Sequence, residues 1–308
     1  MNSEGKEKKI SIVIPTFNRS DLLVKAIKSV QAQGYENIEI VVVDDCSTDD
    51  TRKVVEKLND KRIKYIKHKE NMGGAVARNT GIQNSSGEYI AFLDSDDTWL
   101  SNKLKKQIEV FSENPEVGLV YTGFQLRDMD NNLIKDKVPK CKGWLLPSLL
   151  KSNCVGTTST IMVKRSAIQN VNGFDPNLPS CQDWDLYIRL SQHIKFDYVE
   201  ESLVVFFQHK GNRITTNNKS ALNGYITIYK NYVDLAIREN VYHEFSLNIS
   251  KIILSLGIKM ENKDNIKFSR NIIKQEIKIN GFSIASLYVL CMTYINVKLL
   301  FLAYNWLK

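Results

Sequence analysis

The stretch Gly87-Glu88-Tyr89-Ile90-Ala91-Phe92-Leu93-Asp94-Ser95-Asp96-Asp97 constrains the fold of this chain more than any other. From Glu88 to Asp94 the residues are mostly apolar and aromatic, the composition of a buried strand. The run then ends in three carboxylates within four positions. Burying a bare carboxylate is costly, and three so close repel one another. A divalent cation removes both penalties. Hard oxygen donors suit Mg²⁺ or Mn²⁺, ions that keep open positions for substrate phosphate oxygens. The simpler alternative is an acidic turn leading into a helix capped by Asp97 or Ser101.

The segments before this stretch alternate between strand and helix. Ile10 to Ile14 is a short apolar strand stopped by Pro15. The loop Thr16-Phe17-Asn18-Arg19-Ser20-Asp21 follows, with Ser20 or Asp21 as a helix cap. Leu22, Leu23, Ala26, Ile27 and Val30 then recur at helical spacing. A second strand, Ile38 to Val43, runs into Asp44-Asp45-Cys46-Ser47, and Val54, Val55 and Leu58 mark another helix. Arg62 to Ile66 makes a third strand, and a helix after Gly73-Gly74 carries Ala75, Ala77, Arg78 and Ile82. This rhythm predicts an α/β fold, a mostly parallel, Rossmann-like sheet with flanking helices. Ligands of such sheets lie at the C-terminal strand ends, here Pro15–Arg19, Asp44–Ser47 and Asp94–Asp97, so three polar loops converge on one crevice.

Further on, Leu104 to Phe111 reads as a helix, Val117 to Tyr121 as a strand and Arg127 to Asn132 as a hairpin-like turn. Gly143 to Leu150 reads as a short helix, Thr158 to Val163 as an apolar strand and Leu203 to Phe207 as a last strand. Between these, Asn172 to Pro176 is a turn-rich loop that delivers Cys181-Gln182-Asp183-Trp184-Asp185 to the start of a helix. From Lys219 onward the pattern is helical and free of proline.

A length of 308 residues suggests about two domains, and 43% hydrophobic with 25% charged residues is globular. The domains expected are an unstructured 1–8, a catalytic domain 9–215 and a helical region 216–308. The catalytic domain divides into a nucleotide-binding half 9–122 and an acceptor-binding half 123–215. The net charge of +8 is concentrated at the end, where nine basic residues face Glu261, Asp264 and Glu276 from position 251 onward. Such a tail suits anionic lipid or polyphosphate. No aromatic-basic RNA motif or Cys/His finger is present, so no nucleic-acid partner is expected. Ser283 to Leu307 is the most apolar part, but Lys298 near its middle argues against a membrane span. The alternatives are helices lying on a membrane surface, or helices packed on protein, a dimer partner included. Five scattered cysteines without a CxxC pair fit reduced thiols in the cytosol, and the polar N-terminus lacks the apolar core of a secretory signal.

Five motifs in order carry a resemblance. They are Val13-Ile14-Pro15-Thr16-Phe17-Asn18-Arg19, Val43-Asp44-Asp45-Cys46-Ser47-Thr48-Asp49, Gly74-Ala75-Val76-Ala77-Arg78-Asn79-Thr80-Gly81, Asp94-Ser95-Asp96-Asp97 and Gln182-Asp183-Trp184-Asp185. Over residues 8–215 the chain resembles a family 2 glycosyltransferase with the GT-A fold, of the kind that builds bacterial surface polysaccharides. The resemblance implies that Pro15, Thr16 and Phe17 line a nucleoside pocket, with Phe17 stacked on uracil and Asn18, Arg19, Asp44 and Gly74 around them. Asp45 would read the base N3–H by a charge-assisted bond. Arg78 would approach base and phosphate, and Ser95 and Arg213 would help hold the nucleotide. Asp94 and Asp96 match the DxD pattern. Asp96 would ligate Mn²⁺ or Mg²⁺, with Asp94 and His209 beside it. Asp183 would be the general base of an inverting transfer. Gln182, Trp184, Asp97 and Thr157 would contact sugar or acceptor. The family usually has Glu-Asp where this chain has Gln182-Asp183, which removes one negative charge beside the sugar.

The Gln-x-x-Arg-Trp motif of processive relatives is absent, which favours single addition. The implied activity is transfer from a UDP-sugar to a glycan, the acceptor being a lipid-diphosphate-linked oligosaccharide, at the cytoplasmic face of the cell membrane. Two rival readings are a nucleotidyltransferase on a related fold and a nucleotide-sugar-binding protein without catalysis. The first would need a glycine-bearing phosphate loop where Pro15–Arg19 has none.

Overall fold

The structure, a computed structural model, describes residues 7–128, 130–207 and 217–294. The first part of the chain alternates as its hydrophobic pattern predicts: β1 (Ile10–Thr16), α1 (Ser20–Gln31), β2 (Ile38–Asp44), α2 (Thr51–Lys57), β3 (Ile63–Lys67), α3 (Gly74–Gln83) and β4 (Tyr89–Phe92). There follow β5 (Asp97–Trp99), α4 (Lys103–Glu113), β6 (Val117–Arg127), β7 (Leu133–Lys137) and α5 (Leu146–Lys151). A 3₁₀ turn at Thr158–Thr160 leads into β8 (Ile161–Lys164), then α6 (Arg165–Asn170), α7 (Gln182–Ser191) and β9 (Lys195–Phe207). The helices α8 (Asn218–Arg238), α9 (Tyr242–Lys259), α10 (Lys263–Asn280) and α11 (Ile284–Met292) complete the described chain.

The strands form one sheet in the order β3-β2-β1-β4-β8-β6-β9-β5, with β7 pairing β6. β3, β2, β1 and β4 run parallel, as required of strands joined by crossover helices. Beyond β4 the sheet is mixed: β8 is antiparallel to β4 and β6, β9 parallel to β6, and β5 antiparallel to β9. β1 reaches Thr16, two residues further than the expected stop at Ile14. The β1–β4 ladder has already ended at Val13–Phe92, so the N–H that Pro15 lacks interrupts no bond there. Ile10, Ile12 and Ile14 pack with Ile40, Val42, Leu23 and Ile27 in the main core.

Three local expectations change. Asp97 does not cap a helix, because Asp97–Trp99 pairs with Val204–Phe206 as a strand. Neither does Ser101, since the position before α4 is Asn102 in the left-handed region (φ 64°). Neither Ser20 nor Asp21 occupies the cap of α1; the Ser20 N–H is accepted instead by Asp49 Oδ2 at 3.0 Å, from the loop after β2. Thr158–Thr160 is a turn, with the strand only from Ile161, and this turn buttresses the acidic loop described below.

The chain divides into two compact units. One comprises Met1–Leu145, Cys154–Pro176 and Asp183–Lys210 and contains the whole sheet; the other comprises Leu146–Asn153, Asn177–Gln182 and Gly211–Lys308. In the helical unit, Leu254, Ile258, Ile266, Ile273 and Val289 form a core shared by α9, α10 and α11. Asn217, Asn262 and Ser283 accept first-turn N–H groups of α8, α10 and α11, as good caps do. The last part of the expected apolar tail, 295–308 with Lys298, lies outside the described residues.

α3 lies close on β1. A Cβ added at Gly81 would meet Val13 Cγ1 at 2.2 Å, so Gly81→Ala should lower stability by about 1–3 kcal/mol in urea denaturation. Lys103 is 0% exposed; its amine donates to Gln107 Oε1 (2.9 Å) and sits 4.1 Å from the centre of the Trp99 ring. Burial holds its pKa well below the usual lysine value. Between its folded and unfolded values, the unfolded chain therefore binds a proton there that the folded chain does not. The Lys103 contribution to stability accordingly improves as pH rises toward the unfolded value of about 10.4. Melting curves of the native protein and of Lys103→Met between neutral and alkaline pH should show the native protein gaining on the variant as pH rises.

Candidate active site

The site is built at the C-terminal edge of the parallel strands. β1 and β2 end in register, Thr16 opposite Asp44, so the loops that follow emerge side by side. They are laced together: Asp45 N–H donates to Thr16 O (2.8 Å) and Asn18 N–H to Ser47 Oγ (2.9 Å), while Thr48 N–H donates to Asn18 Oδ1 (2.8 Å). Asn18 adopts φ 52°, a left-handed conformation that Asn tolerates better than most residues. It follows Phe17, whose ring is 43% exposed. Pro15 and Thr16 end the strand just before it; Thr16 Oγ1 is buried with no hydrogen-bond partner among the described residues.

The paired aspartates after β2 do different work. Asp44 is fully buried, accepting from Ser47 N–H (2.7 Å) through Oδ1 and from the Tyr65 hydroxyl through Oδ2. Its carboxylate is spent on the protein's own loop. Asp45 accepts from Met72 N–H (2.8 Å) and Gly73 N–H (2.7 Å), and His68 Nδ1 lies 2.8 Å from Oδ1. A carboxylate only accepts, so Nδ1 carries the proton; Nε2 meets Thr80 Oγ1 at 3.0 Å. Asp45 thereby fixes the chain just ahead of Gly74, the first residue of α3. Three donors leave one of its roughly four lone-pair positions open.

One turn along α3, Arg78 reaches the acidic loop that follows β4. Its Nη2 lies 2.6 Å from Asp94 Oδ1, and its guanidinium stands 5.4 Å from the Phe174 ring centre. Asp96 Oδ1 pairs with Arg19 Nη1 at 3.1 Å. Asp97 is buried and accepts from Ser159 Oγ at 2.6 Å; Ser159 Oγ in turn accepts from Asp94 N–H at 3.0 Å. Ser95, between the aspartates, is buried as well. Thus each carboxylate of the acidic loop has its own compensating group, and one serine braces both ends of the loop. Thr157, one residue before the bracing turn, has a buried Oγ1 without a hydrogen-bond partner among the described residues.

Asp183 stands in the first turn of α7, following Cys181 at φ 59°. Burial pushes its carboxyl above the usual range, its own helix N–H groups and Arg78 oppose the shift, and Asp94 adds to it. Tyr187 is four residues on, hence on the same helix face. Its hydroxyl is buried, has no hydrogen-bond partner among the described residues, and is kept protonated by burial and by Asp183. Arg78, Asp94, Asp183 and Tyr187 therefore form one electrostatic cluster. Trp184 is only 4% exposed, leaving little ring face open. Gln182 opens α7 in the helical unit's segment, its amide donating to Leu178 O at 2.8 Å. His209 and Arg213, expected at the metal and the diphosphate, lie outside the described residues.

Among the described residues no group of three or more His, Cys, Asp or Glu side chains could hold a metal ion. Asp94 and Asp96 nonetheless fit a Mg²⁺- or Mn²⁺-type ion, which is commonly held by one or two carboxylates with substrate phosphates and water completing the shell. Ser159, His68 and Tyr187 were missed by motif reading, and Asp49, though inside the second motif, was given no role. A signal existed for Ser159 in the hydroxyl run Thr157-Thr158-Ser159-Thr160, too polar to open an apolar strand.

Comparison with known proteins agrees with this architecture. The model of glycosyl transferase family 2 matches residues 11–171. The putative teichuronic acid biosynthesis glycosyltransferase TuaG of Bacillus subtilis is 29% identical over 223 residues, covering 72% of this chain and 87% of TuaG. The Escherichia coli UDP-Glc:alpha-D-GlcNAc-diphosphoundecaprenol beta-1,3-glucosyltransferase WfgD is 36% identical over 182 residues, 59% of this chain and 68% of WfgD. An uncharacterized glycosyltransferase of Rickettsia bellii is 36% identical over 188 residues, and the chain spans only 27% of that longer protein. The crystal structure of S. aureus TarS 1-349 with UDP-GlcNAc superposes with a TM-score of 0.73 at 17% identity, covering 97% of this chain and 92% of that one, which establishes the GT-A fold. With the family model spanning more than half its length, this chain belongs to glycosyl transferase family 2.

Proposed function

We propose that the chain transfers a sugar from a UDP-sugar to a hydroxyl of a glycan carried on a lipid diphosphate, with inversion at the anomeric carbon. An α-linked donor would give a β-linked product, by single rather than processive addition. WfgD, by its name, uses a UDP-sugar and a diphosphoundecaprenol-linked acceptor, and TarS binds UDP-GlcNAc, which supports this choice of substrates. The reaction would take place at the cytoplasmic face of the membrane that holds such an acceptor. Among the described residues no helix is long and apolar enough to cross that membrane.

The carrying observation is the Asp183 carboxyl, raised by burial and set beside the Arg78–Asp94 pair. A base with a raised pKa holds a proton better during attack, and general-base catalysis of this kind contributes roughly 10²–10⁴-fold. Asp183 would take the proton of the acceptor hydroxyl as its oxygen bonds to the anomeric carbon. The bond from that carbon to the diphosphate oxygen breaks on the opposite face, and the electron pair leaves with UDP. Phe17 would stack on the uracil, with Asp45 using its remaining acceptor position for the base N3–H. Arg19 and Arg78 would trade part of their pairing with Asp96 and Asp94 for phosphate oxygens. Asp96 and Asp94 would hold the divalent ion, which when bound stabilises negative charge on the departing diphosphate. Thr157 would contact the sugar or acceptor, the role also proposed for Gln182. Asp97 and Trp184 would act chiefly by supporting the loop and helix that carry the reacting groups.

Two substitutions test these roles. Asp183→Asn should retain UDP-sugar binding while losing about 10²–10⁴-fold in turnover, measured as UDP release with a lipid-linked acceptor. Unchanged turnover would remove Asp183 from the chemistry. Thermal stability with a panel of UDP-, GDP-, dTDP- and CDP-sugars should rise with one UDP-sugar, by about 2.7 kcal/mol at a hundred times its Kd. That gain should depend on Mn²⁺ in the native protein and lose its metal dependence in Asp96→Asn. A gain independent of metal in both would argue against the ion.

A further inference from the structure

We propose that α10 and α11 form a docking surface for an anionic lipid bilayer. Lys263, Lys267, Arg270, Lys274 and Lys278 succeed one another along α10 at spacings of four, three, four and four, which puts all five on one face. The four lysines are exposed. Arg270 lies 4.0 Å from the centre of the Tyr294 ring and donates to Thr293 O, and Lys274 Nζ is 5.8 Å from the same ring. The stripe therefore runs alongside the end of α11.

α11 is apolar on its exposed side as well as where it packs on the helical core. Ile284, Leu287, Tyr288 and Cys291 share one face by their spacing of three, four and seven, and that face is the exposed one. Ile284 is 91% exposed, and Phe282 in the preceding turn 80%. The inward side carries Val289 of the helical core together with Ser286, which donates to Glu276 Oε2 at 2.5 Å, and His243 Nδ1 lies 2.6 Å from Glu276 Oε1. Glu276 is fully buried in this knot, which leaves Asp264 in the first turn as the one exposed carboxylate of α10 against five basic residues. An apolar face beside a cationic stripe matches the interface of an anionic bilayer, acyl chains under α11 and headgroups along α10.

Charge decides against the other occupants. A second copy meeting this face two-fold would set one basic stripe against another. Residues 295–308 carry Lys298, Lys308 and no acidic side chain, so their side chains add charge of the same sign as the stripe. The surface deepens the lipid-linked acceptor reading above, because it would hold the enzyme where such an acceptor resides, but it is read from α10 and α11 alone.

Co-sedimentation of the full chain with vesicles tests it. Binding should be found with phosphatidylglycerol–phosphatidylcholine vesicles, be lost with phosphatidylcholine alone, and weaken as salt is raised. Each basic charge removed should cost about fivefold in partitioning, so the variant Lys267→Gln, Lys274→Gln, Lys278→Gln should lose on the order of a hundredfold. Ile284→Asp with Leu287→Asp should lose at least about tenfold. Both variants should keep the nucleotide-dependent thermal shift, which reports the catalytic unit separately. No vesicle binding, equal binding to neutral vesicles, or binding that survives both variants and disappears on removal of 295–308 would each overturn the proposal. So would a dimer in the native protein that Ile284→Asp with Leu287→Asp converts to monomer without changing vesicle binding.

Discussion

Three aspartates in four residues at the end of a buried strand repel one another, and the surrounding structure is arranged to relieve that repulsion. Arg78 comes from α3, Arg19 from the loop after β1, and Ser159 from the turn before β8. Each relieving group belongs to a different element, so the acidic loop can hold its shape only when the parallel strands and the β8 crossover have assembled around it. A charged cluster of this kind adds little net stability, since desolvation offsets most of the attraction. What it supplies is specificity of arrangement: moving any of the three partners takes a compensating group from its carboxylate.

The parallel half of the sheet was legible because its strands are apolar runs and its helices show a clear turn-by-turn period. The polar loops follow those strands directly, so their convergence on one edge could be read without coordinates. Family membership was legible through the five motifs in order. The rest failed for physical reasons. Lys195 to Glu201 is too polar to announce a strand, yet it pairs with β6 from Val117 onward, because backbone pairing at that position does not need apolar side chains. Asp97–Trp99 is too short to be seen as a strand at all. His68 and Tyr187 carry no motif, and what brings them to Asp45 and Asp183 is the direction of a side chain on an element, which depends on tertiary packing.

The two aspartates after β2 illustrate how far residue identity falls short of role. Neighbours in sequence and alike in chemistry, they alternate across the strand end. Asp44 turns into the loop and is consumed by Ser47 and Tyr65, whereas Asp45 turns toward α3 and holds its first turn. The same distinction applies to Glu276 in the helical unit, a buried carboxylate whose partners His243 and Ser286 come from two other helices.

α3 has a property that follows from where its two ends are attached. Its N-terminus is tied to Asp45 through Gly73, its next turn to Asp94 through Arg78, and its flank is pressed on β1 at Gly81 with no slack for an added methyl group. A stiff rod held at those points behaves as a lever with β1 as fulcrum. Asp45 and Asp94 are thus attached to one helix within two turns of each other. On the donor-binding roles proposed above, the two halves of a donor would act on one helix, at its first turn and at the next.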